Sequence, residues 1–499
     1  MSSFLSWALG LGFFLLYAFR RFAFRRRLPL PPGPKPLPVI GNVLDLPTSR
    51  DWLTFTEWGR KYNSPLIYAD ALGQGILIVN SPDDAVGLLE ERAQSTSDRP
   101  YFPLFFLMGL ETNTANLSYG TLWRKHRKVL HQSMKKDAVE RHQPILVNQA
   151  SQLLRNIAKD PSSFMRYCKI YSGSLVLDIY YGYDRSSDKD PFFLRAEDAV
   201  VQISRAILPG AFAVNAFPLL RYVPRWFPGA GFQDWAANAK RLIVEARNFP
   251  FDLAKANPTK DDGTSTLVGQ WLQERVLEPE DEPVLRDVAG SAFIAGIDTT
   301  YSSLVTLFLA LTLYPDVQRK AREEILRVVG TNRLPNLQDR PSLPYLDAIF
   351  REILRWRPPV PLGIPHKVSR DEVYNGHFIP AGTIILTNYW AMTRDESLHP
   401  DPEEFRPERF LNSDGTLKPG TDRPYAFGFG RRVCPGRLLA ADSIWIPLAQ
   451  VITMFNITKA KDEYGNDIQP SLELTDEGAT CPDPFQCNIV LRREYDDWR

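Results

Sequence analysis

Apolar and polar residues are mixed along most of this chain, and the departures from that mixture predict its elements. Residues 2–19 carry no charged side chain and are rich in Leu, Phe, Trp and Ala. At ~1.5 Å per residue, a helix of that length nearly crosses a ~30 Å hydrocarbon core. Residues 283–314 form a second mostly apolar run, read as one helix of nearly ~50 Å. Asp281 and Glu282 stand at its start, Pro283 suits a first helical turn, and Pro315 stops it. A third helix is predicted over Pro344–Trp356, ended by Pro358 and Pro359. Around residues 372–388 the pattern alternates, with Asn375-Gly376 as a turn, which predicts a small sheet.

Charge then gives the first run a direction. Arg20, Arg21, Arg25, Arg26 and Arg27 follow it at once, and the positive-inside rule places the remainder in the cytosol. A cleaved signal peptide would carry its basic residues before the apolar run and small residues at a cleavage site. Here the order is reversed, so residues 1–27 read as a membrane anchor with a basic stop. The sequons at Asn116 and Asn456 would then face cytosol and stay unmodified. Prolines at 29, 31, 32, 34, 36 and 38 remove donors and fix φ, so residues 28–40 read as a stiff hinge.

Residues 41–499 hold no Gly/Ser linker, low-complexity tract or repeat, which predicts a single large domain despite the length. A hydrophobic content of 44% supports a substantial core, and a formal charge of +1 argues against a polyanion-binding surface. No nucleic-acid-binding motif is present. Four cysteines, Cys168, Cys434, Cys481 and Cys487, are too few for a disulfide scaffold. Cys481 and Cys487 lie close enough in sequence to pair, but reduced cytosolic thiols are the expectation.

One of these cysteines carries the candidate chemistry. Cys434 lies in Phe427-Gly428-Phe429-Gly430-Arg431-Arg432-Val433-Cys434-Pro435-Gly436. A thiolate on a glycine-rich loop behind arginines suits the axial ligand of a haem iron. Glycines allow close approach to a flat macrocycle, and backbone N–H groups tune the sulfur. Arginine offers a fork for haem carboxylates. The competing reading is a surface turn with a chance cysteine.

The string resembles the haem-binding signature of cytochrome P450 monooxygenases, Phe-x-x-Gly-x-Arg-x-Cys-x-Gly. Its fixed positions are filled by Phe427, Gly430, Arg432, Cys434 and Gly436. The resemblance extends over essentially the whole chain after the anchor. It implies a mostly α fold with small β-sheets, a helical prism around buried haem b, behind an N-terminal transmembrane helix. Within the long helix, Ala295-Gly296-Ile297-Asp298-Thr299-Thr300 combines a mid-helix glycine with polar groups in an apolar run. Both are locally costly, as expected where function overrides propensity. The resemblance makes Ala295 and Gly296 neighbours of the haem, with Gly296 leaving room for oxygen, and Asp298 and Thr299 an acid–alcohol pair relaying protons. A helix-packing notch with back-bonded threonines is the plainer alternative.

Further motifs follow in the family's order. Glu352 and Arg355, three apart on one helical face, resemble Glu-x-x-Arg, whose pair meets an arginine from downstream, here Arg409. Their implied role is support of the haem pocket. Trp123 and Arg127, four apart, resemble a Trp-x-x-x-Arg pair that contacts a propionate, with Arg124, Lys125 and Lys128 facing outward. His366, by family position, would hydrogen-bond a propionate, although a lone histidine is often only a satisfied core residue. No zinc-ligand spacing is present.

The resemblance implies insertion of one oxygen atom from O2 into a small molecule. No Rossmann fingerprint or flavin domain is visible, so electrons are expected from NADPH through a separate membrane-bound cytochrome P450 reductase, with cytochrome b5 a further donor. A basic patch on the thiolate side would steer an acidic reductase. The expected location is the endoplasmic reticulum membrane, single-pass, with the catalytic domain in the cytosol. Residues 101–110, with Phe102, Phe105, Phe106 and Met108, would cap the active site. Residues 206–217 and 226–232 would form an opposite lid partly dipped into lipid, which fits an apolar substrate. Core packing is the alternative for these aromatics. The style of the chain resembles fungal microsomal enzymes of secondary and xenobiotic metabolism, which points to terpenoids, polyketides or aromatic hydrocarbons. Rival classes are a reductase-independent haem-thiolate isomerase or dehydratase, and a non-catalytic haem sensor. Asp298-Thr299 argues against the first, because such enzymes need no proton relay.

Overall fold

The structure is a computed structural model that describes residues 28–183, 190–207, 211–260, 265–274, 278, 281–421 and 424–498. The anchor expected at residues 1–27 lies outside the described residues. So does part of the expected lid, residues 208–210. The described chain is mostly helical with small sheets and divides into two compact units, each assembled from separated stretches of sequence.

The first unit takes residues 28–100 together with Leu362–Ala391 and Phe429–Arg432. Helix α1 (Asp51–Lys61) turns Trp52, Phe55 and Trp58 inward. A four-stranded sheet is built from β1 (Leu66–Ala71), β2 (Gln74–Val79), β3 (His366–Lys367) and β6 (Ile384–Thr387), in the order β1-β2-β6-β3. The β2–β6 pair is parallel and the others antiparallel. Strands β4 (Glu372–Tyr374) and β5 (His377–Ile379) form the expected hairpin across Asn375-Gly376. Both turn residues have positive φ, 47° and 74°, which an Asn-Gly pair tolerates. The proline-rich segment lies against this unit. Pro32 O accepts from Tyr68 N (2.9 Å), and Pro29 O accepts from Phe378 N (2.8 Å). Gly33 permits the approach, since a Cβ there would meet Tyr68 O at 2.0 Å.

The second unit holds the main helices, and their bounds follow the punctuation read from the chain. They are α2 (Thr121–Met134), α3 (Gln143–Lys159), α4 (Phe164–Tyr181), α5 (Pro191–Ile207), α6 (Phe232–Ala256), α7 (Glu282–Leu313), α8 (Pro315–Val328), α9 (Pro344–Trp356) and α10 (Arg437–Met454). Helix α7 is the predicted long helix, and Pro315 opens the first turn of α8 instead of merely ending α7. Among the described residues, α7 is long and apolar enough to cross a bilayer, but 67% of its most apolar window is buried, so it serves as a core helix. It packs along α4, with α6, α9 and α10 also against it. Strands β7 (Phe455–Lys459) and β8 (Cys487–Leu491) pair antiparallel beyond α10.

One buried side chain ties that hairpin to the helices. Gln318 of α8 donates from Nε2 to Ile457 O (2.9 Å) and accepts from Ile457 N at Oε1 (3.0 Å). Removing the amide orphans two buried backbone groups, each costing about 1–3 kcal/mol. Gln318→Ala is therefore expected to lower unfolding stability by about 2–5 kcal/mol in denaturant titrations. A loss under about 1 kcal/mol would contradict this account.

Candidate active site

Cys434 stands two residues ahead of Gly436, the N-cap of α10. The positive end of an 18-residue helix therefore points toward the thiol. The loop before it closes tightly: Cys434 N donates to Phe427 O (2.8 Å), and Gly428 N to Tyr425 O (2.8 Å). Burial pushes the Cys434 thiol above its ordinary value. The Gly436 N–H, Arg127 and Arg437 pull it back toward the thiolate. The other three cysteines are free thiols, and burial pushes Cys481 and Cys487 up to about 12, so Cys434 alone stands in a positive field.

Arg127 reaches that field from α2. Its guanidinium lies 6.0 Å from the ring centre of Trp123, which is buried. Burial lowers the Arg127 pKa, and the Cys434 charge raises it. Arg124 and Lys128 are exposed as expected. Lys125 departs from expectation: it is half-buried and donates to Asp281 (2.7 Å), capturing the carboxylate ahead of α7. Arg127, His131, Lys135, Lys136 and Arg437 line a basic cleft of about 230 Å³ beside Pro435.

Helix α7 is buried on both sides of its centre, yet Ala292, Ala295, Gly296 and Thr299, spaced i, i+3, i+4 and i+7, are uncovered, Ala295 most of all. Small side chains thus leave one face open midway along a core helix. Thr299 Oγ1 donates to Ala295 O (2.9 Å), the back-bond of a threonine inside a helix. Burial raises the Asp298 carboxyl above the usual range; Lys169, 3.9 Å away on α4, opposes this, and Glu477 and Glu197 reinforce it. Gly296 has a packing reason of its own, because a Cβ there would meet Val176 Cγ2 at 2.7 Å.

Glu352, Arg355 and Arg409 are brought together as a buried lock. Arg355 grips Glu352 through two bonds (2.6 and 2.9 Å), and Arg409 Nε donates to Glu352 Oε1 (3.0 Å). The same oxygen accepts from Arg406 N (2.8 Å). Remaining guanidinium protons go to the carbonyls of Thr393, Pro402 and Glu404. This differs from a surface i,i+3 pair, since Glu352 is 0% exposed.

The first unit holds its own cationic cluster. Arg432 Nε donates to Ser97 O (2.8 Å), and His366 Nδ1 pairs with Thr96 O (2.9 Å). Arg99, which no sequence pattern singled out, donates to Ile364 O (2.8 Å) and Pro365 O (2.7 Å). Burial, then the Arg432 charge, lowers the Arg99 guanidinium to about 9. Burial and the Arg99 charge hold the His366 imidazole well below its ordinary value. Gly430 also has a packing reason within the protein: a Cβ would meet Leu89 O at 2.0 Å, and its φ of 58° favours glycine independently.

Against this geometry, residues 31–485 match the family described as Cytochrome P450. The chain belongs to the cytochrome P450 family. Cytochrome P450 monooxygenase COX1 of Coprinopsis cinerea is 40% identical over 479 residues, covering 94% of this chain and 92% of its own. Cytochrome P450 monooxygenase 176 of Postia placenta is 40% identical over 489 residues (96% and 93%), and Cytochrome P450 monooxygenase ple1 of Rhodocybe pseudopiperita 38% over 473 (93% and 90%). This P450 is thus an oxidoreductase of the monooxygenase type, and membership implies haem, dioxygen, a small-molecule substrate and a redox partner. Its residues fit such a group: a thiol facing a helix N-terminus and two arginines, and an open strip of small side chains on α7.

Removing the carboxylate of the lock leaves two buried guanidinium groups uncompensated. Glu352→Gln is expected to destabilise the protein by about 3–5 kcal/mol, read from the unfolding midpoint. A surface-like loss below about 1 kcal/mol would show that burial does not matter there.

Proposed function

We propose that this P450 binds haem b through Cys434 and inserts one oxygen atom into an apolar small molecule, with electrons from NADPH delivered by a separate reductase. The observation that carries the reading is the Cys434 thiol placed at the N-terminus of α10 beside the Gly436 N–H, Arg127 and Arg437. Haem held by a thiolate supplies the oxygen-activating redox chemistry. The chain supplies the rest. Trp123 and Arg127 are donors suited to a haem carboxylate, and within the first unit Arg432 and His366 are groups of the same kind. Phe427, Gly430 and Gly436 shape the loop that presents the sulfur. Glu352, Arg355 and Arg409 keep the segment around residues 393–409 rigid.

Proton supply falls to Asp298 and Thr299. A carboxyl raised by burial holds its proton more readily at neutral pH than an exposed one. Thr299 Oγ1 gives its own proton to Ala295 O, so its lone pairs face outward as acceptors, and rotation of the hydroxyl passes a proton on. Ala295 and Gly296 keep the helix thin beside that hydroxyl. This pair weighs against a rearranging enzyme that needs no delivered protons.

The remaining parts concern partners and place. The cleft of Arg127, His131, Lys135, Lys136 and Arg437 supports docking of an acidic reductase, with cytochrome b5 as a further donor. Leu219, Tyr222 and Trp226 are 78%, 68% and 81% exposed, which supports contact with lipid and entry of an apolar substrate from it. Phe105 and Met108, by contrast, are core residues, while Phe106 is half-exposed. Residues 1–27 would anchor the chain in the endoplasmic reticulum membrane with its catalytic part in the cytosol. Terpenoids, polyketides and aromatic hydrocarbons remain the substrate classes proposed.

The test uses full-length protein with NADPH–cytochrome P450 reductase and a panel of lipophilic small molecules. Wild type is expected to show the strongly red-shifted Soret band of the reduced carbon monoxide complex, and Cys434→Ser to lose it. Thr299→Ala should keep the band and consume NADPH while product falls about tenfold or more and hydrogen peroxide rises. Turnover driven by peroxide and indifferent to reductase would overturn the reading, as would an unchanged band in Cys434→Ser.

A further inference from the structure

His126 lies on α2 between two residues already assigned to the cofactor, and Trp123, His126 and Arg127 fall at i, i+3 and i+4 on one helical face. Its side chain is completely buried, 0% exposed. Nδ1 sits 2.9 Å from Thr114 Oγ1. Thr114 N in turn donates to Ser291 Oγ (3.0 Å), and that hydroxyl donates to Asp287 O (2.6 Å). A chain of hydrogen bonds therefore runs from α2 through the loop around Thr114 to α7, one turn before Ala295. The far nitrogen, Nε2, has no partner among the described residues. Buried polar atoms are nearly always paired, so this nitrogen asks for a group that protein does not provide.

The surroundings indicate which kind. Burial lowers the imidazole to about 4, so it is neutral at physiological pH. We assign the Thr114 hydroxyl as the donor to Nδ1, which puts the proton of a neutral ring on Nε2 and makes Nε2 a donor. On the same face stand an indole and a guanidinium, both donors only. A group accepting from all three is an anionic oxygen acceptor, and a carboxylate has the lone pairs for it.

We propose that His126 is a positioning residue whose Nε2–H holds a haem carboxylate beside Trp123 and Arg127, with Thr114 and Ser291 fixing the ring. This rests on the haem-thiolate reading. It makes the loop around Thr114 part of the cofactor's support, since that loop is tied at once to the ring on α2 and to α7.

Two amides separate the ring nitrogens. His126→Gln can place a donor near Nε2, whereas His126→Asn reaches only the position of Nδ1. Ferric full-length protein is mixed with excess apomyoglobin, and haem transfer is followed by absorbance. Resonance Raman spectra of the same samples report the propionate bending mode. His126→Asn and His126→Leu are expected to release haem about tenfold faster or more, with the mode shifted, and His126→Gln to stay close to wild type. Equal release rates for the Gln and Asn variants, or faster release from Gln, would overturn the proposal, because the bond to Thr114 alone would then matter. Should His126→Leu fail to fold, the Gln–Asn comparison still decides. A red-shifted carbon monoxide band checks each variant for intact sulfur ligation. Its absence from wild type would sink the underlying haem reading and not this assignment.

Discussion

The sulfur of Cys434 is pulled two ways. Burial favours the neutral thiol, while the α10 N-terminus, the Gly436 N–H and two arginines favour the anion. A metal cation at the sulfur would settle that contest in favour of the thiolate, because coordination deprotonates a thiol outright. Much of the second unit serves to place these opposing influences together. Helix α10 must begin just after Gly436, α2 must present Arg127, and the loop from Phe427 must close through the Cys434 N–H. A shift in any of them changes the field at one atom.

A second fixed point in this unit comes from ionic groups that water does not reach. The Glu352 carboxylate accepts from two arginines and a backbone N–H, and the spare guanidinium protons are spent on carbonyls. Such a cluster is weak evidence for stability against an apolar replacement, but breaking it from one side is costly. It is best understood as a register device. Arg355 and Arg409 arrive from segments fifty-odd positions apart in the chain, and the shared carboxylate ties those segments together.

Several motifs were readable because their chemistry is local. Prolines and acidic residues set the ends of α7 to within one residue, Pro344 and Pro358 bracketed α9, and Asn375-Gly376 announced the β4–β5 hairpin. Each depends on φ restriction or a helix end, which neighbours in sequence decide. The i,i+3 spacing of Glu352 and Arg355 was legible in the chain, whereas their meeting with Arg409 was expected only through the family resemblance. The burial of the three was not legible, since exposure depends on what packs over a helix. Arg99 and His126 gave no signal at all. One acts on carbonyls more than 260 positions away, and the other through Thr114 and Ser291.

What the residues determined alone is the inventory: a cysteine behind glycines and arginines, an acid and an alcohol in a long apolar helix, and the punctuation that bounds the elements. Tertiary structure decided how each is used. A Cβ at Gly430 would meet the Leu89 carbonyl, and one at Gly296 would meet Val176. Lys125 turns from solvent to Asp281, and a histidine nitrogen on α2 is left buried without a partner among the described residues. The reason is one of range. Backbone preference and helix ends act over a few residues, whereas close approach, burial and charge depend on which distant segments meet.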